Sequence, residues 1–179
     1  DKVQSQTVVE DDAVFSGQIS GSDIDQGDKV TFAADKAVSG LDFNADGSYQ
    51  FDPGHEDYQH LALGDSITIS VPVTATDQHG ASSGEVLTIT VQGSNDGPTS
   101  ADVQLSTVED QSVTLGVADF GFQDLDGDQL SAIRFTENAE NGSLMLSGEP
   151  VQLGQSINVD DIEAGRLVFT PALHGSGEG

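Results

Sequence analysis

Gly93-Ser94-Asn95-Asp96-Gly97-Pro98 is the stretch whose reading decides the fold. It closes an alternating run, Glu85-Val86-Leu87-Thr88-Ile89-Thr90-Val91, whose period of two is that of a strand with one buried face. Two glycines and a proline stop that strand, while Asn95 and Asp96 put side-chain oxygens at the break. Upstream phrases then return downstream. Thr7-Val8-Val9-Glu10-Asp11 comes back as Thr107-Val108-Glu109-Asp110, and Asp23-Ile24-Asp25-Gln26-Gly27-Asp28 as Asp124-Leu125-Asp126-Gly127-Asp128. A period of about a hundred residues marks a junction between two copies of one module, with expected spans of 1–96 and 97–179.

Composition narrows the class. Of 179 residues, 31 are acidic and five basic, a net charge of −26, which makes nucleic acid and anionic membrane surfaces poor partners. High net charge alone reads as disorder, but here the strands are patterned and the acids gather at turns. A folded chain with carboxylates gathered at loops needs counter-ions, and hard divalent cations suit them. Apolar residues make up 35% and aromatics 6%, with no tryptophan, so the cores are modest and built from Val, Ile, Leu and Phe. Without cysteine there are no disulfides and no thiolate metal sites. Within these 179 residues no stretch reads as a signal peptide and no apolar run is long enough to cross a bilayer, and a targeting signal can lie outside them. The chain opens on Asp1 and not on methionine, so a fragment of a longer protein is expected.

Strands are expected at 7–9, 14–19, 29–33, 48–51, 66–75 and 86–92, with a hairpin turn at Asn44-Ala45-Asp46-Gly47 and a short helical turn over 58–63. Pro72 removes a ladder donor, which predicts an edge strand or a bulge there. Roughly seven short strands with regular turns predict an all-β sandwich of immunoglobulin-like size, and no stretch carries a helical period. Downstream, strands are expected over 103–108, 113–115, 130–135, 143–146 and 167–169. Phe169-Thr170-Pro171 matches Phe51-Asp52-Pro53, so counterparts of 67–75 and 86–92 are absent. The second module is therefore read as incomplete, with an exposed edge or an open core beside Val168.

Calcium takes about six to eight oxygens, more than one short loop supplies, so carboxylates from several loops must converge. At the central junction the candidates are Asn95, Asp96, Asp124 and Asp126, and alternation about Leu125 puts the last two carboxylates on one side. Asp and Asn also favour turns with no ion present. A twice-repeated Asp-x-Asp backed by a third Asp favours calcium.

These phrases resemble the cadherin repeat and its bacterial relatives, the cadherin-like and VCBS repeats of large RTX-type adhesins. Glu10 and Glu109 are similar to the glutamate that opens each cadherin repeat, and Asp23, Asp25, Asp124 and Asp126 to its Asp-x-Asp. Ala75-Thr76-Asp77-Gln78-His79-Gly80 is similar to the Ala-x-Asp-x-Gly segment, and residues 93–98 to the Asp-x-Asn-Asp-Asn-x-Pro linker, with Gly93 in place of its first aspartate. The resemblance implies two tandem immunoglobulin/cadherin-like modules sharing Ca2+ at their junctions. It assigns Glu10, Asn95, Asp96, Asp124 and Asp126 to the central junction, Asp23, Asp25 and Asp77 to the one before, and Glu109 to the one after. It further implies a secreted bacterial cell-surface adhesin active in adhesion or biofilm formation, with neighbouring repeats as partners and a cell-surface or glycan ligand elsewhere in the protein.

Other signals are weaker. Asp42-Phe43-Asn44-Ala45-Asp46-Gly47 begins like an EF-hand loop, but Pro53 stands where a bidentate glutamate is needed, so a hairpin turn is the better reading. No nucleophile elbow or phosphate loop occurs, so no enzyme is expected. The competing readings are a glycan-binding or homophilic recognition module, and an accessory domain of a secreted enzyme.

Overall fold

The computed structural model describes residues 4–24, 28–108 and 110–172. It divides into two compact units, Asp1–Asp96 and Gly97–Gly179. In the first unit, seven strands are found among the described residues: β1 Gln4–Val9, β2 Phe15–Gln18, β3 Thr31–Ala34, β4 Leu41–Phe43, β5 Ser48–Phe51, β6 Ser66–Thr76 and β7 Ser82–Gln92. One sheet has the order β1-β7-β6-β3 and the other β2-β5-β4. β1 runs parallel to β7, from Gln4 opposite Leu87 to Val9 opposite Gln92, and the other neighbours are antiparallel.

Alternation makes the core. Leu87, Ile89 and Val91 of β7 and Val71 and Val73 of β6 are fully buried, and Tyr49 and Phe51 of β5 meet them from the other sheet. Phe15 and Tyr49 meet nearly perpendicular with ring centres 6.2 Å apart, and Phe43 stacks on Tyr49 at 6.3 Å. This is the all-β sandwich that the sequence predicts, with Val30, Phe32, Tyr49 and Phe51 packed on β6 and β7. The turn at 44–47 is a hairpin, closed by the Gly47 amide on the Asn44 carbonyl at 2.9 Å. Gly47 takes φ +85°, and a Cβ there would lie 2.3 Å from the Ile19 carbonyl oxygen. The Asp46 carboxylate accepts from the Ser48 hydroxyl and amide, which holds its pKa below the ordinary range.

Two expectations need correction. Residues 58–63 form successive turns and no helix: the Tyr58 amide bonds to the His55 carbonyl and Leu61 to Tyr58, both i to i−3. Pro53-Gly54 on one side and Gly64, at φ +97°, on the other leave too short a run for a helical nucleus to repay its entropy. Pro72 neither sits in an edge strand nor breaks the register, because β6 is interior and Pro72 pairs with Val86. Its carbonyl accepts the Asp35 amide at 2.9 Å, one residue past the last β3 pair, Ala34 with Val73. The missing donor thus faces the side where β3 has already ended.

In the second unit β8 Thr99–Ser100 pairs with β10 Phe122–Gln123, and β11 Ala132–Arg134 with β14 Ser156–Asn158. β9 Val113–Thr114, β12 Gly142–Leu146, β13 Glu149–Pro150 and β15 Leu167–Pro171 form a sheet of order β13-β12-β15-β9. Phe169 lies opposite Val113 and Leu144, as Phe51 lies opposite Phe15 and Leu41. The short turn between β4 and β5 is replaced here by residues 147–166, which carry β13, β14 and the helix α1 Val159–Glu163.

That connection supplies part of the core of the second unit. Ile157 of β14 and Ile162 of α1 are fully buried with Leu167, while Val168 and Phe169 beside them stay half-buried, unlike the fully buried Phe51. α1 is too short to show a helical period. Asn158 holds the extended N-cap conformation, and Asp160 and Asp161 favour the positive end of the helix dipole. Arg166 closes the other end, its Nε donating to Asp161 Oδ1 at 2.8 Å. Residues 103–108, expected as a strand, form no strand and join no sheet among the described residues.

Candidate functional site

The β1–β7 ladder runs one residue past β1, since the Glu10 amide donates to the Gln92 carbonyl at 3.0 Å. The Asp12 amide then bonds to Val9 O, and Asp12 Oδ2 accepts the Val9 amide at 2.9 Å, which turns the chain away. Glu10 is left at the end of the ladder, the one fully buried charged residue among the described residues. Its Oε1 accepts the Ser94 amide at 2.7 Å, while Oε2 is buried without a hydrogen-bond partner. Burial raises the Glu10 pKa above its ordinary value, the Ser94 amide pulls it down, and the charges of Asp11 and Asp96 push it up again. A buried carboxylate oxygen facing another acid calls for a proton or a cation.

The sign of the titration follows. Folding favours the protonated form, so Glu10 supports the fold below the ordinary glutamate range, and that support is lost as pH rises through the raised value. In chelator at pH 7, Glu10→Gln is therefore expected to raise the melting temperature, and the gain should vanish in acid. Paired melts of the two proteins across pH 3–7 check this, and a loss of stability at pH 7 in chelator would refute it.

Gly93 holds the other half of the site. Its amide donates to the Asp65 carbonyl at 2.9 Å, and a Cβ there would fall 2.2 Å from Leu61 O and 2.3 Å from Ala62 O. No side chain fits, which explains glycine where the resemblance expects aspartate. Ser94 follows and presents its amide to Glu10, and the Asn95 side-chain amide donates to the Asp96 carbonyl at 2.7 Å. Glu10 and Asp96 are thus brought near one another within the first unit.

Asp23 and Asp77 line a second acidic place in the same unit, a cleft of about 830 Å³ that also holds Ser20, Ser22 and Glu85. Asp77 organises its turn, with Oδ1 accepting the amides of His79 at 2.8 Å and Ala81 at 2.9 Å. Sequence reading missed Glu85, although it lies in phase with the buried Leu87 and Ile89. In the second unit Asp124 Oδ1 accepts the Asp126 and Asp128 amides at 3.1 and 3.0 Å, so one carboxylate folds the loop that carries the others. Asp25 and Glu109 lie outside the described residues.

No protein-family model matches the chain, and no curated protein does. Solved structures similar to it are cadherin ectodomains. Protocadherin gamma B7 extracellular cadherin domains 1–4 has a TM-score of 0.46 at 14% identity, over 96% of this chain and 40% of its own. Drosophila N-cadherin EC1-4 has a TM-score of 0.46 at 17% identity, over 96% and 40%. Mouse cadherin-23 EC22-24 has 0.44 at 15% identity, over 97% and 53%. The chain thus spans 40% of the length of the first of these.

Proposed function

We propose that this chain consists of calcium-stabilised extender modules of a secreted bacterial surface adhesin, serving adhesion or biofilm formation. Glu10, Asn95 and Asp96, together with Asp124 and Asp126, would hold Ca2+ between consecutive modules. Asp23, Asp25 and Asp77 would serve the junction before, and Glu109 the one after. One observation carries the reading: a fully buried glutamate with an uncompensated oxygen, held by the amide of the segment that leaves its unit. Its neighbours offer oxygen ligands only, which suits a hard cation, and an irregular shared site suits calcium better than the strict octahedron of magnesium. Bound calcium would offset the negative charge that these carboxylates gather.

The mechanism is mechanical. With calcium the junction is locked, and without it the acids repel and the hinge opens. Extracellular modules bind calcium at about 10⁻⁴–10⁻³ M, so the string would be stiff outside cells and loose where calcium is scarce. A glycan platform of exposed aromatics has less support, because both tyrosines, Tyr49 and Tyr58, are buried. Small-angle scattering in calcium and in chelator tests the lock. Calcium is expected to narrow the spread of inter-unit angles, and identical profiles would reject it.

A further inference from the structure

The turn between β6 and β7 carries an imidazole that the calcium reading does not use. Asp77 builds that turn, its Oδ1 accepting the His79 and Ala81 amides, and Gly80 takes φ +90° within it. His79 Nε2 lies 3.5 Å from Oδ2 of Asp28, which reaches the turn from the segment before β3. The Asp28 side chain is 10% exposed, and its Oδ2 is buried without a hydrogen bond. The other oxygen accepts from Gln78 Nε2, which itself lies 3.4 Å from His79 Nε2. The Gln78 amide therefore holds the carboxylate with Oδ2 turned toward the ring, as the outer partner of a metal ligand does.

A gap of 3.5 Å is long for a hydrogen bond but right for two ligands of one ion. Two ligands of a tetrahedral zinc, each about 2.0–2.2 Å from the metal, stand about 3.3–3.6 Å apart. We infer that Asp28 Oδ2 and His79 Nε2 form a transition-metal site of the zinc class, separate from the calcium ligands proposed above. An imidazole nitrogen suits zinc and its neighbours in the transition series, whereas calcium takes oxygen. The His79 side chain is 74% exposed, so water completes the coordination. A half-turn of the Gln78 amide exchanges Nε2 for Oε1 and offers the ion a third protein ligand. The ion ties residue 28 to residue 79, and a clip that closes so long a stretch of chain stabilises the fold. This site rests on nitrogen chemistry and stands whether or not the carboxylates elsewhere hold calcium.

The test is a zinc titration of the full chain in excess calcium at pH 7.5, read by calorimetry and by the imidazole signals in NMR spectra. The expected result is saturable binding that moves the His79 signals and leaves those of His55 and His60 in place. His79→Ala and Asp28→Asn, made separately, should each weaken zinc binding by about tenfold or more, and Gln78→Leu, which removes the outer contact, by about tenfold. Truncating His79 leaves the backbone bonds of its turn intact, so without zinc the melting temperature of His79→Ala should match the parent. Magnesium in place of zinc should move no histidine signal. Equal zinc affinity in the parent and His79→Ala overturns the inference. So does zinc that calcium displaces in direct competition, because the ion would then sit on the carboxylates of the calcium reading. Parent affinity in Asp28→Asn overturns it as well, since a lone surface imidazole would then account for the binding.

Discussion

Gly93→Val is expected to lower the melting temperature of the first unit by roughly 10–20 °C, the effect of about 2–3 kcal/mol of overpacking in a domain of this size. The atoms a side chain would strike are the carbonyl oxygens of Leu61 and Ala62, at 2.2 and 2.3 Å from the first added carbon. Neither is the end of a flexible side chain, so the main chain itself must move. Those carbonyls belong to the turns that carry the buried Tyr58 and Leu61, so relief costs core packing. The same shift would withdraw the Ser94 amide from Glu10, and calcium affinity should fall with stability. Gly84→Ala is the control, since a Cβ there meets nothing within 4 Å, and its effect should stay within about 0.5 kcal/mol. The second unit has its own core and should melt as before. A Gly93→Val protein that melts with the parent would show that the close approach does not constrain position 93.

Calcium at roughly ten times its dissociation constant is expected to raise the melting temperature by about 6–11 °C, from mass action of about 1.4 kcal/mol on the folded state. Glu10→Gln combined with Asp126→Asn should abolish most of that rise while preserving shape. Asp124 is left intact, because its Oδ1 holds the loop amides of Asp126 and Asp128 and its loss would confuse folding with binding. The single Glu10→Gln change should cross over: more stable than the parent in chelator, less stable in saturating calcium. Calorimetry in both conditions reads the crossing. An equal calcium response in parent and double variant would sink the shared site and leave these acids as solvated turn residues.

The sequence made β6 and β7 legible because their strict alternation sorts Val71, Val73, Leu87, Ile89 and Val91 to one face. The Asn44–Gly47 turn was equally plain, since hairpin chemistry is local. What escaped depended on distant partners. Residues 103–108 alternate as a strand should, but alternation says only that a segment can pair. Ile157 and Ile162 gave no warning, for a three-residue strand and a five-residue helix are shorter than any period. At the site, Asp96 was legible in the linker itself and Glu10 was named from a resemblance, whereas the Ser94 amide was invisible because a backbone donor leaves no trace in residue identity. Gly93 looked like a missing ligand until the Leu61 and Ala62 carbonyls gave it a steric reason.

The parallel pairing of β1 with β7 has a consequence for tension along the chain. Gln4 and Leu87 share one end of the pair, Val9 and Gln92 the other. A pull that enters through residue 4 and leaves through Gly93 drags the two strands past each other lengthwise. All the rungs between them then bear load together, as a lap joint does, instead of parting one at a time like a zip. Rupture must break the whole set at once, so the first unit is built to resist stretching from its ends better than its modest core alone would allow.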